Sequence, residues 1–220
     1  MSRLARYVRD CRTFPADARI AWSNEGWRGV YEAVATRTLR KVLRGDRMIL
    51  FAQGLEDLPE VCSPDGVTVT RLQPRELPML AYVASRRDLD AFRALLAAGR
   101  IGVVAWRGGR AVGYAWMAER LAADVTRCPI PLPEEAVYLW DLYVLPAERG
   151  RGIGSALAAE RLAIARELGY REGWRMIAPR NLPSLRTLRA GGSTRIVGEI
   201  RFVQLLSLLR ARFLPARFRV

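Results

Sequence analysis

A mixed α/β (α+β) fold, with a mixed central sheet flanked by helices and an N-terminal extension, follows from three features of the 220-residue sequence. β-rich runs recur at 101–106, 111–120 and 136–145 as a meander. An amphipathic helical pattern begins directly after the third run, near Ile153, and stops at Gly169. Pro, Asp and Gly cluster in "GLEDLPEVCSPDG", residues 54–66, between two differently patterned regions. The chain thus divides into an extension over 1–65 and one domain over 66–220.

In the extension, residues 29–44 place Val30, Val34, Leu39, Val42 and Leu43 near one face and Arg37, Arg40, Lys41 and Arg44 near another, a basic amphipathic helix. "RMILFAQ" (47–53) suits an extra strand. "VTVTRLQ" (67–73) alternates as a strand should, Pro74 opens a helical pattern, and "DLDAFRALLAAG" (88–99) is a helix closed by glycine. "IGVVAW" and "AVGYAWMAER" flank Arg-Gly-Gly-Arg, which reads as a tight hairpin. "AVYLWDLYVL" (136–145) is apolar on both faces, as a central strand is. The helix from Ile153 sets Ile153, Leu157, Ile164 and Leu168 on one stripe, with Glu160, Arg161, Arg166 and Glu167 elsewhere. "GWRMIAP" then reads as a strand, "LPSLRTLRAGG" as a short helix and "TRIVGEIRFVQLL" as a last strand or two.

Composition limits the chemistry. The chain has no histidine, which excludes His-built zinc sites, Ser-His-Asp triads and imidazole acid–base catalysis. Cys11, Cys62 and Cys128 lie far apart and outside any CxxC spacing, as reduced thiols do. No window reaches the ~18 apolar residues of a membrane span, and "MSRLARYVRDCR" lacks a secretory apolar stretch, so a cytoplasmic location is expected. The 36 basic and 22 acidic residues leave a net charge of +14, and Lys41 is the only lysine. This charge suits an acidic carrier protein or an anionic membrane surface as partner. The tail "LLRARFLPARFRV" could dock on either, or pack on its own domain or on a second subunit of a homodimer. Nucleic acid is disfavoured, because neither a stacking motif nor a recognition helix accompanies the charge.

The stretch "DLYVLPAERGRGIGSAL", Asp141 to Leu157, carries the chemistry. A strand runs through Pro146 into a glycine-rich turn and straight into a helix. Gly150, Gly152 and Gly154 leave backbone N–H groups uncovered, the helix N-terminus adds unpaired donors, and Arg149 and Arg151 add full charges. Such a loop holds a pyrophosphate with no metal. A Walker loop would need a lysine, and a dinucleotide fingerprint would need a glycine where Ser155 stands.

The run resembles the acetyl-CoA signature of the GNAT superfamily, [QR]xxGx[GA], on Arg149, Gly152 and Gly154. The likeness in element order spans about 66–206. It implies the GNAT fold, acetyl-CoA as cosubstrate and an N-acetyltransferase acting on an amine that the sequence does not identify. It also implies that Leu142, Tyr143 and Val144, following a bulge in the central strand, pair with the pantetheine arm, and that residues 149–155, Ile153 included, seat the pyrophosphate. Asn181 and Ser184 match the start of the family's second motif, Nxx[SA]xxxY. Its tyrosine position is Leu188 here, and its Gly-Phe is replaced by Gly191, Gly192 and Ser193.

Direct attack of an amine with a pKa of ~10 on a thioester requires a proton acceptor. Asp141, in the apolar setting of Val137, Trp140 and Leu142, is the leading candidate, with Glu119 and Glu135 in reserve. The backbone N–H of Leu142 or Val144 can meet the thioester oxygen. With Leu188 unable to donate, the thiolate's proton comes from Tyr143, Ser184 or solvent. Tyr114, Trp116 and Met117 either line the acceptor pocket or belong to the core. A longer acyl-CoA or an acyl carrier protein as donor, and a non-catalytic acyl-CoA-binding module, are the competing readings.

Overall fold

The computed structural model describes Trp27 and residues 43–216 apart from 123, 124, 127, 206 and 207. Eight strands form one mixed sheet: β1 (Leu43–Gly54), β2 (Val67–Arg71), β3 (Ile101–Arg107), β4 (Arg110–Ala118), β5 (Ala136–Val144), β6 (Glu172–Ile177), β7 (Thr194–Leu205) and β8 (Leu208–Pro215). Their spatial order is β2-β3-β4-β5-β6-β1-β7-β8. Only β5 and β6 are parallel, as the helical crossover between them requires. The helices are α1 (Arg86–Ala97), α2 (Ile153–Glu167) and α3 (Leu182–Ala190), with a 3-10 helix over Pro74–Tyr82. No helix among the described residues is long and apolar enough to cross a membrane.

Local chemistry explains most boundaries. Ser85 and Asp88 form a reciprocal capping box that starts α1. Gly108 and Gly109 both take positive φ, 55° and 74°, and turn β3 into β4 as the Arg-Gly-Gly-Arg signal predicts. Residues 74–82 wind as a 3-10 rather than an α-helix, with a second proline, Pro78, inside the segment. All but the last two positions of the basic helix expected over 29–44 fall outside the described residues; Leu43 and Arg44 open β1. That strand lies between β6 and β7, so residues from before the Pro/Gly-rich break complete the middle of the sheet. Residues 208–215 of the tail pair with β7 as the edge strand β8.

The strands β3, β4 and β5 are covered on both faces, which is why β4 is buried from Ala111 through Ala118. On one face Leu72, Leu80, Phe92, Tyr114 and Trp116 pack together beneath α1 and the 3-10 helix. On the other, Val103, Val112, Ile153 and Leu157 join α2 to the sheet. The stripe expected for α2 needs correction at two places. Leu168 is exposed, whereas Arg161, expected away from the apolar stripe, is buried among Ala158, Leu162 and Ala165. Small alanines let the middle of α2 approach the sheet closely, so a side chain there is enclosed whatever its polarity.

The α2–β6 contact is equally close. A Cβ on Gly173 would fall 2.9 Å from both Leu139 Cδ1 and Leu162 Cδ2. Gly173→Ala should therefore cost about 1–3 kcal/mol by overpacking. Urea unfolding checks this, with a lowered midpoint and an unchanged slope.

Candidate functional site

The ladder between β4 and β5 is interrupted near its middle. Tyr114 pairs with Tyr143 and Trp116 with Trp140, so Asp141 and Leu142 together oppose the single residue Ala115. This is a β-bulge on β5, and Asp141 takes φ 48° there, the one positive value at a non-glycine among the described residues. Aspartate tolerates the left-handed region better than most residues. The parallel ladder from β5 to β6 runs only over Ala136–Tyr138 and Glu172–Trp174. Beyond Tyr138, where the bulge lies, β6 no longer continues beside β5. Residues 141–144 therefore have no β6 partner on that side.

Past the bulge the chain returns to register, and β4 must come very close to it. A Cβ on Gly113 would sit 2.7 Å from the Tyr143 carbonyl oxygen and 3.1 Å from Leu157 Cδ1, so only glycine fits. The strand then passes through the short 3-10 turn Pro146–Glu148 into the cradle. Gly150 and Gly152 take φ of 78° and 82°, and Gly152 is the N-cap of α2 with no side chain to cap it. Nothing lies within 4 Å of a Cβ built on Gly150, and one on Gly154 meets only Leu142 and Val144 at ordinary contact distance. The turn is thus open at Gly150 and Gly154, while a Cβ on Gly152 would meet Pro64 at 3.3 Å. Beside Ser155 a cavity of about 300 Å³ runs between α2 and α3, walled by Leu58, Pro59, Ser63, Thr187 and Gly191.

The family model described as "Acetyltransferase (GNAT) family" matches residues 68–191. This chain belongs to the GNAT acetyltransferase family. Among solved structures, a Drosophila protein aligns at 16% identity and TM-score 0.56, over 80% of this chain and 57% of its own. A fungal glucosamine N-acetyltransferase region of a multi-domain β-N-acetylglucosaminidase aligns at 17% identity and TM-score 0.53, over 79% and 22%. An aminoglycoside N-acetyltransferase solved with CoA aligns at 25% identity and TM-score 0.46, over 57% and 90%. The first two likenesses show the fold, and this chain spans less than two thirds of either relative. No curated protein matches it.

Charges are arranged unevenly around this GNAT's bulge. Asp141 is exposed to water, yet enough protein surrounds its carboxyl that desolvation pushes its pKa up to about 6. The Asp88 carboxylate raises it further, and the Arg161 guanidinium opposes both. Tyr143 stacks on Tyr114 at 5.7 Å, and the Tyr114 hydroxyl is driven well above its ordinary range, first by burial and then by Asp141. Arg149 Nε donates to the Val144 carbonyl at 3.0 Å, and its guanidinium lies over the Tyr143 ring. This arginine therefore braces the strand exit. Arg151 and Arg107 both bond the Glu148 carboxylate. The sequence reading passed over Glu148, although its i,i+3 spacing to Arg151 was visible.

Leu142, Tyr143, Val144 and the run from Arg149 to Ser155 are thus brought into one continuous strand, turn and helix start. Other expected residues are placed elsewhere. Asn181 is the N-cap of α3, its Oδ1 accepting from the Ser184 N–H at 3.3 Å, and Thr187 and Gly191 rather than these two line the cavity. Glu119 follows the far end of β4, exposed and hydrogen-bonded to Tyr170, away from Asp141. Trp116 and Met117 are fully buried and belong to the core, as does Leu188.

The cradle glycines should respond oppositely to alanine. Gly152→Ala forces a left-handed φ of 82° on a residue whose Cβ would meet Pro64 at 3.3 Å, and should destabilise by about 1–2 kcal/mol. Gly154→Ala adds a good helix former with room for it, and should stabilise by about 0.5–1 kcal/mol. Thermal unfolding of the two variants in parallel checks both signs.

Proposed function

We propose that this protein is an N-acetyltransferase that moves an acetyl group from acetyl-CoA to a primary amine by direct attack. The observation that carries the reading is the joining of the bulge at Asp141–Leu142 to the glycine cradle at 150–155 by one uninterrupted segment, with β6 diverging alongside. When bound, acetyl-CoA supplies the acyl group as a thioester open to a neutral amine. The cradle N–H groups and Arg151 receive its pyrophosphate, and the Leu142–Val144 backbone receives its pantetheine arm. A backbone N–H just after the bulge polarises the thioester oxygen.

Asp141 takes the proton from the incoming ammonium. Its raised pKa, about 6, is nearer the working range of a general base than that of an ordinary carboxylate. Leu188 is buried and has no donor, so the thiolate is protonated by Tyr143 or by solvent. Glu119 takes no part in this reading, because it stands beyond the end of β4.

Calorimetric titration with acetyl-CoA, followed by an amine screen, tests the reading. Micromolar binding should disappear in Gly152→Glu, whose side chain would fill the cradle. Binding by the native chain without transfer to any amine would point instead to a binding module, and no binding would end the acetyl-CoA assignment. Asp141→Asn should lower kcat/KM by about 10²- to 10⁴-fold. In the native enzyme kcat/KM should rise as pH passes about 6.

The same substitution should act oppositely on stability. The folded Asp141 holds its proton more tightly than the unfolded chain does, so native stability falls as pH rises from about 4 through about 6. Asp141→Asn should therefore raise Tm at pH values above this window and leave it unchanged below. Melts at the two extremes check this.

A further inference from the structure

Arg161 is buried in the middle of α2, and the transfer chemistry above leaves it without a task. Its Nη1 donates to the Trp116 carbonyl at 2.9 Å and to the Trp140 carbonyl at 3.0 Å. Those residues are the β4–β5 register pair that borders the bulge, and Asp141 follows Trp140 directly. One donor therefore ties the two strands together at the point where their ladder shifts. The Arg161 Nε has no hydrogen-bond partner among the described residues, so the buried cation is incompletely met by its surroundings. A buried group that costs stability and is bonded to the frame of the site is a candidate for function.

The charges around Asp141 give this arrangement a direction. Asp88 on α1 disfavours its ionised form, and Arg161 on α2 favours it. The Tyr114 hydroxyl on β4 feels the same carboxyl, and the Tyr143 ring stacks on Tyr114. Arg175 on β6 repels Arg161, and Asp141 is the anion that offsets this. Arg161 is thus linked to the site by two hydrogen bonds and by charge.

We propose that Arg161 is a positioning residue for the acetyl transfer: it bridges the Trp116 and Trp140 carbonyls to hold the bulge in shape, and its charge keeps the Asp141 carboxyl ionised against the opposing Asp88 carboxylate. The catalytic half of this inference rests on the proposed function; the structural half does not. The test is a ¹³C NMR titration of the Asp141 carboxyl carbon in the native protein, Arg161→Gln and Arg161→Lys, with amide exchange at Trp116 and Trp140, the register pair it bridges, and the pH profile of kcat/KM.

In Arg161→Gln the Asp141 midpoint should rise by about 1 pH unit, the acidic limb of kcat/KM should move up with it, and the two amides should exchange at least about 10-fold faster. In Arg161→Lys the midpoint should return towards the native value while the amides stay fast, because a lysine restores the charge but its nitrogen lies one bond nearer the backbone than Nη1 and falls short of the two carbonyls. A native midpoint in folded Arg161→Gln overturns the proposal. Should that variant not fold, native amide protection in Arg161→Lys overturns it instead. The NMR midpoint needs no turnover. A native protein that binds acetyl-CoA and transfers nothing would therefore sink the proposed function, and an unmoved midpoint would sink this inference.

Discussion

One extra residue on β5 sets the architecture around the site. Because Asp141 and Leu142 together face Ala115, the strand bends away from the ladder, and the chain beyond Tyr138 separates from β6. The bend also lets the Tyr143 carbonyl press against Gly113, where any side chain would collide. From there the chain has a short path through Pro146–Glu148 to Gly152 and into α2, so the bulge and the cradle share one rigid connection. A bulge breaks hydrogen bonds that a regular sheet would keep. It persists here because packing on both faces and bonds from α2 hold it.

The electrostatic pattern follows from the same geometry. Tyr114 and Arg161 are buried in the covered sheet and Asp141, though it reaches water, is hemmed in by protein, so all three are shifted towards their neutral forms, with desolvation the first cause in each. Arg161 opposes this effect at Asp141 and meets the carbonyls flanking the bulge. On the cradle side, Glu148 binds Arg107 and Arg151, which fixes the turn before the helix and tempers a strongly cationic surface. The basic character of the chain is thus locally counterbalanced near the glycine turn.

Much of this was legible from local signals. Arg-Gly-Gly-Arg named the hairpin, the apolar run 136–145 named the central strand, and the glycines after Pro146 named the cradle, because each depends on backbone preferences within a few residues. What escaped depends on contacts between distant segments. The place of β1 between β6 and β7 is set by pairing across more than a hundred residues, which periodicity does not record. Arg161 reads as solvated on a helical wheel because its partners are carbonyls exposed by the bulge, not side chains with their own pattern. Asn181 matches the family's second motif, and an asparagine two residues before Pro183 at a helix start equally signals the N-cap it forms.

In the proposed function the segment from the bulge to the cradle forms a single seat for the acyl donor. Hydrogen–deuterium exchange with and without saturating acetyl-CoA tests it most directly. Exchange should slow at the amides of Leu142–Val144 and of residues 150–155 together, with β7 and β8 unaffected. Protection confined to another surface, or protection of the cradle without the strand after the bulge, would contradict it.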